Sequence, residues 1–114
     1  SPIKPIAHTH SGGTKAAISK YKRVLMGHDW EIKKSDASGG YIQAVKGEKG
    51  LFGVITAVFK VNIMCNEDGD TQCVVKAYRC ENKVTLANCS PLTEQYAKQD
   101  DSMTNTLADF RGIK

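Results

Sequence analysis

The spacing of apolar residues changes along this chain, and the changes divide it into elements. Ala17, Tyr21, Val24, Leu25 and His28 recur at intervals of three and four, which predicts a helix from about Thr14 to Met26 with one buried face. Gly27 stands where a left-handed residue would end it. Trp30 and Ile32 then alternate with Asp29, Glu31 and Lys33, the period-two pattern of a half-buried strand. Ser35 to Gly40 turns the chain. A second strand is expected over Tyr41–Lys46, with Ile42 and Ala44 on one face and Tyr41, Gln43 and Val45 on the other.

The strongest strand follows the glycine-studded loop Gly47–Gly53. Ile55, Ala57, Phe59, Val61 and Ile63 face one way, while Thr56, Lys60 and Asn62 mark a wet face. Asn66 to Asp70 reads as a hairpin turn, and Gln72 to Cys80 as the returning strand with Val75 and Ala77 inward. A shorter strand is expected at Val84–Ala87. Ser90-Pro91 reads as a helix start, an N-cap followed by the residue whose missing N–H costs nothing there. Tyr96, Met103, Leu107 and Phe110 share one face of that second helix, and the weakly helical Gln99 to Ser102 is a place for it to split. The expected fold class is α+β: an antiparallel sheet of three to four strands, with N-terminal and C-terminal helices packed on one face in the order α-β-β-β-β-α.

Length sets the scale, since 114 residues fit one domain with one core. The boundaries expected are a flexible N-terminal tether over residues 1–13, with two prolines and no periodicity, and a single domain over 14–114. No apolar run approaches a membrane span. Net charge is +4, and the first 34 residues hold seven of the Lys and Arg residues against two acids. Lys15, Lys20, Lys22 and Arg23 crowd helix one, a pattern that suits an anionic partner or simply a solvated face. No aromatic residues interleave with them to stack on bases, so nucleic acid is not an expected partner.

Cys65, Cys73, Cys80 and Cys89 fall within 25 consecutive residues, and the chain has no others. An even, clustered set reads as a disulfide framework made in an oxidising space. Four cysteines allow three pairings. Local pairing, Cys65 with Cys73 and Cys80 with Cys89, is preferred, and it carries a condition. A two-residue turn at Asp68-Gly69 would set Cys65 and Cys73 on opposite faces, because strand side chains alternate. A three-residue loop centred on Gly69 sets them directly opposite each other, within the roughly 4.4–6.8 Å Cα separation that a disulfide takes. The spacings lack both the Cys-x-x-Cys of redox sites and the tight knuckles of structural zinc. Because the cysteines imply export and the chain begins without a basic-then-apolar leader, a removed signal peptide is expected. A lipidated anchor would lie upstream of Ser1.

Chemistry-bearing constellations are sparse. His8 and His10 could lie on one side of an extended segment and suit a metal, but tether histidines are more often incidental. Aligning Gly69 with the glycine of a calcium loop puts Met64 and Val75 at ligand positions, so that reading fails. No nucleophile elbow, zinc-helix motif or phosphate loop is present. The expectation is therefore no enzyme, no metal and no cofactor. Asn88-Cys89-Ser90 is formally a glycosylation sequon. Leu51-Phe52, between glycines at a loop tip, either folds back into the core or is offered to a partner.

Ile18 to Val45, with its helix, Gly27, Trp30-Glu31-Ile32, a polar turn through Gly39-Gly40 and Tyr41-Ile42-Gln43-Ala44, resembles small lipoproteins of the bacterial envelope. The hairpin Val54–Cys80 and closing helix Pro91–Phe110 extend the resemblance over residues 14–112. It implies a periplasmic or outer-membrane-tethered binding or structural module whose partner is another envelope protein. The four cysteines depart from that pattern. Separately, Gln43-Ala44-Val45-Lys46-Gly47 is similar to the Gln-x-Val-x-Gly loop of cystatins, inhibitors of papain-type proteases. That likeness implies a protease-facing hairpin loop at Gln43, Val45 and Gly47. The missing Pro-Trp second loop, the different cysteine spacings and the helical tail depart from it.

Overall fold

In chain order the computed structural model, which describes residues 1–49 and 57–114, forms β1 (Ile6–His10), α1 (Thr14–Gly27), β2 (Glu31–Asp36), β3 (Tyr41–Gly47), β4 (Val58–Asp68), β5 (Asp70–Cys80), β6 (Cys89–Pro91), α2 (Glu94–Lys98) and α3 (Asp101–Arg111). The strands make one antiparallel sheet in the order β1-β5-β4-β3-β2, and β6 continues the β1 edge of β5. The α+β class and antiparallel sheet are as expected, but the described residues form six strands and three helices.

The β4–β5 hairpin fixes the register of everything else. Asp68 stands opposite Asp70 and Cys65 opposite Cys73, so the pairing is centred on Gly69. Gly69 has φ of +72°, a conformation glycine adopts without steric cost. The parity condition is met, and Cys65–Cys73 and Cys80–Cys89 are both bonded. Each pair has its Cα atoms 4.0 Å apart, closer than the separation expected from sequence. The hairpin is also longer than predicted, because Asn66, Glu67 and Asp68 continue the strand.

Alternation then sorts the sheet into two faces. Ile42 and Ala44, Phe59, Val61 and Ile63, and Val75 are buried on the inner face. They meet Ala17, Ile18, Tyr21 and Leu25 of α1 and Met103, Leu107 and Phe110 of α3 in one core. Gly40 is held by this packing. Its carbonyl accepts from Cys65 N–H at 2.7 Å, and a Cβ there would collide with the Cys65 carbonyl oxygen.

Four sequence expectations are corrected. The segment read as a flexible tether contains a sheet strand: Ile6–His10 pairs with Thr71–Val75, Ile3 N–H donates to Leu92 O at 2.8 Å, and Thr71 Oγ1 donates to Gly12 O at 2.7 Å. Its prolines precede the strand, and its alternate inward residues are Ile6, His8 and His10, which pattern reading takes for polar. Val84–Ala87 is not a strand. The Asn82 side chain accepts from Val84 N–H and Thr85 N–H at 2.9 Å each, a local turn that competes with extension. Ser90-Pro91 belongs to β6, and Thr93 caps α2 instead, accepting from Tyr96 N–H at 3.3 Å. Gly27 remains helical, and the left-handed residue after α1 is Asp29, φ +60°, where Trp30 N–H donates back to Leu25 O at 3.0 Å.

The split in the C-terminal helix is where the sequence placed it. Asp100 caps α3, accepting from Met103 N–H at 2.9 Å. Met103, Leu107 and Phe110 are buried as expected, but Tyr96 lies 42% exposed and Ala97 takes its place in the core. The Arg79 guanidinium sits 4.6 Å over the Tyr96 ring, and Arg79 Nε donates to Glu48 at 2.6 Å. That carboxylate holds the Arg79 proton more tightly than usual, raising its pKa.

Candidate functional site

Among the described residues no helix covers the outer face of the sheet, and the pairing register arranges its side chains in rows. Asn66 lies opposite Gln72, and Gln72 opposite Thr9. The next row is largely apolar: Tyr41, Met64, Val74 and Ala7 stand side by side across four strands, and Asp36 of β2 lies opposite Tyr41 at its end. Beyond it come Lys34, Gln43, Asn62 and Lys76, again across four strands. Then Glu31, Val45, Lys60, Tyr78 and Pro91 follow. Met64 is 55% exposed at the centre of this surface. A hollow of about 470 Å³ lies above the outward residues from Asn62 to Asp68 of β4 and from Gln72 to Tyr78 of β5.

The polar groups of this face are poised rather than consumed. Gln43 Nε2 donates to Asn62 Oδ1 at a long 3.4 Å, and Lys60 Nζ lies 4.9 Å over the Tyr78 ring. Among the described residues, Lys34, Lys60 and Lys76 form no ion pair, whereas Glu31 is engaged by Lys33 at 3.3 Å and Asp36 accepts from Gly39 N–H at 2.9 Å. The sequence marked Lys60 and Asn62 as a wet face. The partners on β2 and β5 follow only from register.

The residues singled out from the cystatin likeness are placed differently from a loop tip. Gln43, Val45 and Gly47 lie in β3, which pairs with β4 throughout and with β2 at Gln43 and Val45. Val45 is buried. Leu51 and Phe52 lie outside the described residues.

A second polar cluster is closed. His8 and His10 do point the same way from β1, but inward, with ring centres 6.3 Å apart. His8 Nε2 donates to the Phe110 carbonyl at 2.7 Å, and His10 Nε2 shares a 2.9 Å hydrogen bond with Tyr21 OH. Tyr21 stacks on Phe110 and is fully buried; His10 is 4% exposed and its Nδ1 has no hydrogen-bond partner among the described residues. Burial, with help from the charges of Lys20 and His8, lowers the His10 pKa against a smaller raising effect of the Lys114 backbone. Burial pushes Tyr21 up to about 12. His28 Nε2 contacts Asp109 Oδ2 at 2.6 Å, a third histidine fastened to α3 or its surroundings. Among the described residues no three His, Cys, Asp or Glu side chains gather as a metal site. No protein-family model matches this sequence, and no curated protein matches it either, so its function has to be read from the two faces of the sheet.

Proposed function

We propose that this chain is a non-enzymatic binding module of an exported compartment, a periplasmic or outer-membrane-tethered lipoprotein of a bacterial envelope, which meets its partner through the open sheet face. The open face carries this reading. It places an exposed methionine, a row of largely apolar side chains, carboxamides and lysines that form no ion pair among the described residues on a sheet whose β4–β5 hairpin is bridged by Cys65–Cys73 and whose β5–β6 edge is bridged by Cys80–Cys89. Exposed Met64 and its row need a reason to face solvent, and adaptable contact with a partner is one. The two disulfides favour an oxidising space. Non-enzymatic action is favoured because the His10–Tyr21 pair is sealed inside the core, out of a substrate's reach. A lipid upstream of Ser1 would supply the membrane anchor.

Fractionation should place the protein with the envelope, and recovery in the cytoplasm with four free thiols contradicts the proposal. Retention of the purified chain on washed envelope fragments should fall about tenfold in a Met64→Asp/Val74→Asp variant and hold in Met26→Asp on α1. Equal loss in both variants would reject the open face. The partner that the sequence suggests is another envelope protein. Protease inhibition is disfavoured by Gln43–Gly47 being a paired strand, so papain should stay active at any dose, with or without Gln43→Ala.

A further inference from the structure

We infer that β1 is a strap released by acid: a proton taken up at His10 frees Ile6–His10 from β5 and bares the β5 edge over Thr71–Val75. This device is independent of the open face. His10 sits where a charge cannot be kept, because its ring is buried, its Nε2 shares a hydrogen bond with Tyr21 OH, and its Nδ1 has no hydrogen-bond partner among the described residues. In the imidazolium both nitrogens carry a hydrogen and both donate. The Tyr21 oxygen accepts one of them, which leaves a charged N–H buried and unpaired. The surroundings add to that cost: Lys20 of α1 and His8 on the same strand bring positive charge, and β5 sets the uncharged Thr71 opposite His10. Tyr21 is held neutral by burial, and α3 contributes Phe110, stacked on Tyr21. The Lys114 carbonyl favours the proton, the smallest of these effects, and it already accepts from Lys20 Nζ at 2.6 Å.

Topology decides which element gives way. β1 is an edge strand paired with β5 alone, whereas β3, β4 and β5 are each paired on both sides. Ile6 is its one buried apolar side chain, and its other two inward positions are the histidines. Ser11-Gly12-Gly13 joins it to α1, a short joint that lets the strand leave while α1 stays packed. Ile3, whose N–H donates to Leu92 O, holds the far end, so opening starts at His10 and breaks the His8 bond to the Phe110 carbonyl and the Thr71 bond to Gly12 O. An element with so few neighbours opens at a lower free energy than the whole domain. The closed strand keeps His10 neutral and the released one takes up the proton, so release is favoured as pH falls below 6.5, the ordinary histidine value, and is unaffected well above it.

The test is hydrogen exchange of the full, oxidised chain from about pH 7 to about pH 5, read amide by amide by NMR and corrected for the intrinsic pH dependence of exchange. The hydrogen-bonded amides of β1 should open more readily than those of Val61 and Ile63 in β4 at every pH. Their opening constant should rise by up to about tenfold for each pH unit below 6.5. His10→Gln should abolish that rise, and His8→Gln should retain it. A β1 that shares one protection with β4 throughout, a rise that persists in His10→Gln, or a rise lost in His8→Gln alone would each overturn the strap. Should His10→Gln fail to fold, the His10 ring of the unaltered chain is titrated by NMR instead. Opening of β1 in step with the charging of that ring supports the strap, and charging while β1 stays protected overturns it.

Discussion

The two faces of this sheet are built from the same strands and follow opposite rules. Inward, each alternate residue is committed. Phe59, Val61, Ile63 and Val75 are buried, and even the polar inward groups of β1 are tied to Tyr21 or to the Phe110 carbonyl. Outward, from Asn62 to Asp68 on β4 and from Gln72 to Tyr78 on β5, the residues between them face solvent or a partner. A strand therefore carries stability on one parity and recognition on the other, and a change of one position along β4 moves from the first to the second.

The sharpest break in this contrast is a truncation on each side. Phe110→Ala, in the core and stacked on Tyr21, should cost about 3–5 kcal/mol by urea unfolding. Met64→Ala on the open face should stay within about 0.5 kcal/mol. Comparable losses at the two sites would erase the distinction. Next in size are the staples. Replacing Cys65 and Cys73 together by Ala, which opens a bridge spanning a sequence separation of 8, should cost about 2–3 kcal/mol, read as a lowered melting temperature.

Acid should act through the inner face. His10 holds its proton less readily when folded, because of burial first and the positive charges of Lys20 and His8 second. Below the ordinary histidine value of 6.5 the unfolded chain binds more protons than the folded one, so stability should fall as pH drops through and below that value and level off above it. The groups facing His10 are Tyr21 and Lys20 of α1, His8 on its own strand and the Lys114 carbonyl at the chain end. His10→Gln should flatten the pH dependence of the unfolding free energy between pH 5 and 7, and an unchanged slope would remove His10 as its source. Smallest of all should be the effect of Lys60→Glu/Lys76→Glu on stability, within about 0.5 kcal/mol.

Much of this arrangement was legible in the residues. The period-two run through Phe59, Val61 and Ile63, the helical spacing of Ala17, Tyr21 and Leu25, and the cysteine parity around Gly69 each led to an element or bond that is present. What stayed hidden was tertiary. β1 alternates Ile6, His8 and His10, and two histidines look solvated until α1 and α3 close over them. β6 is three residues that extend only because β5 offers a free edge. The open face was half legible: Lys60 and Asn62 announced a wet side, but Lys34 and Lys76 join them only through the bulged β2–β3 register and the Gly69-centred hairpin. Gln43–Gly47 lies in β3, and a three-position motif says nothing of the strands that pair with it.

Lysine footprinting puts the central claim to its most direct test. The oxidised protein would be acetylated with and without washed envelope fragments, and each lysine's modification read by mass spectrometry. Recognition by the open face predicts protection of Lys34, Lys60 and Lys76, with Lys15 and Lys20 on α1 and Lys98 on α2 reacting as before. Protection of the helix lysines, with the sheet lysines still freely acetylated, would contradict it.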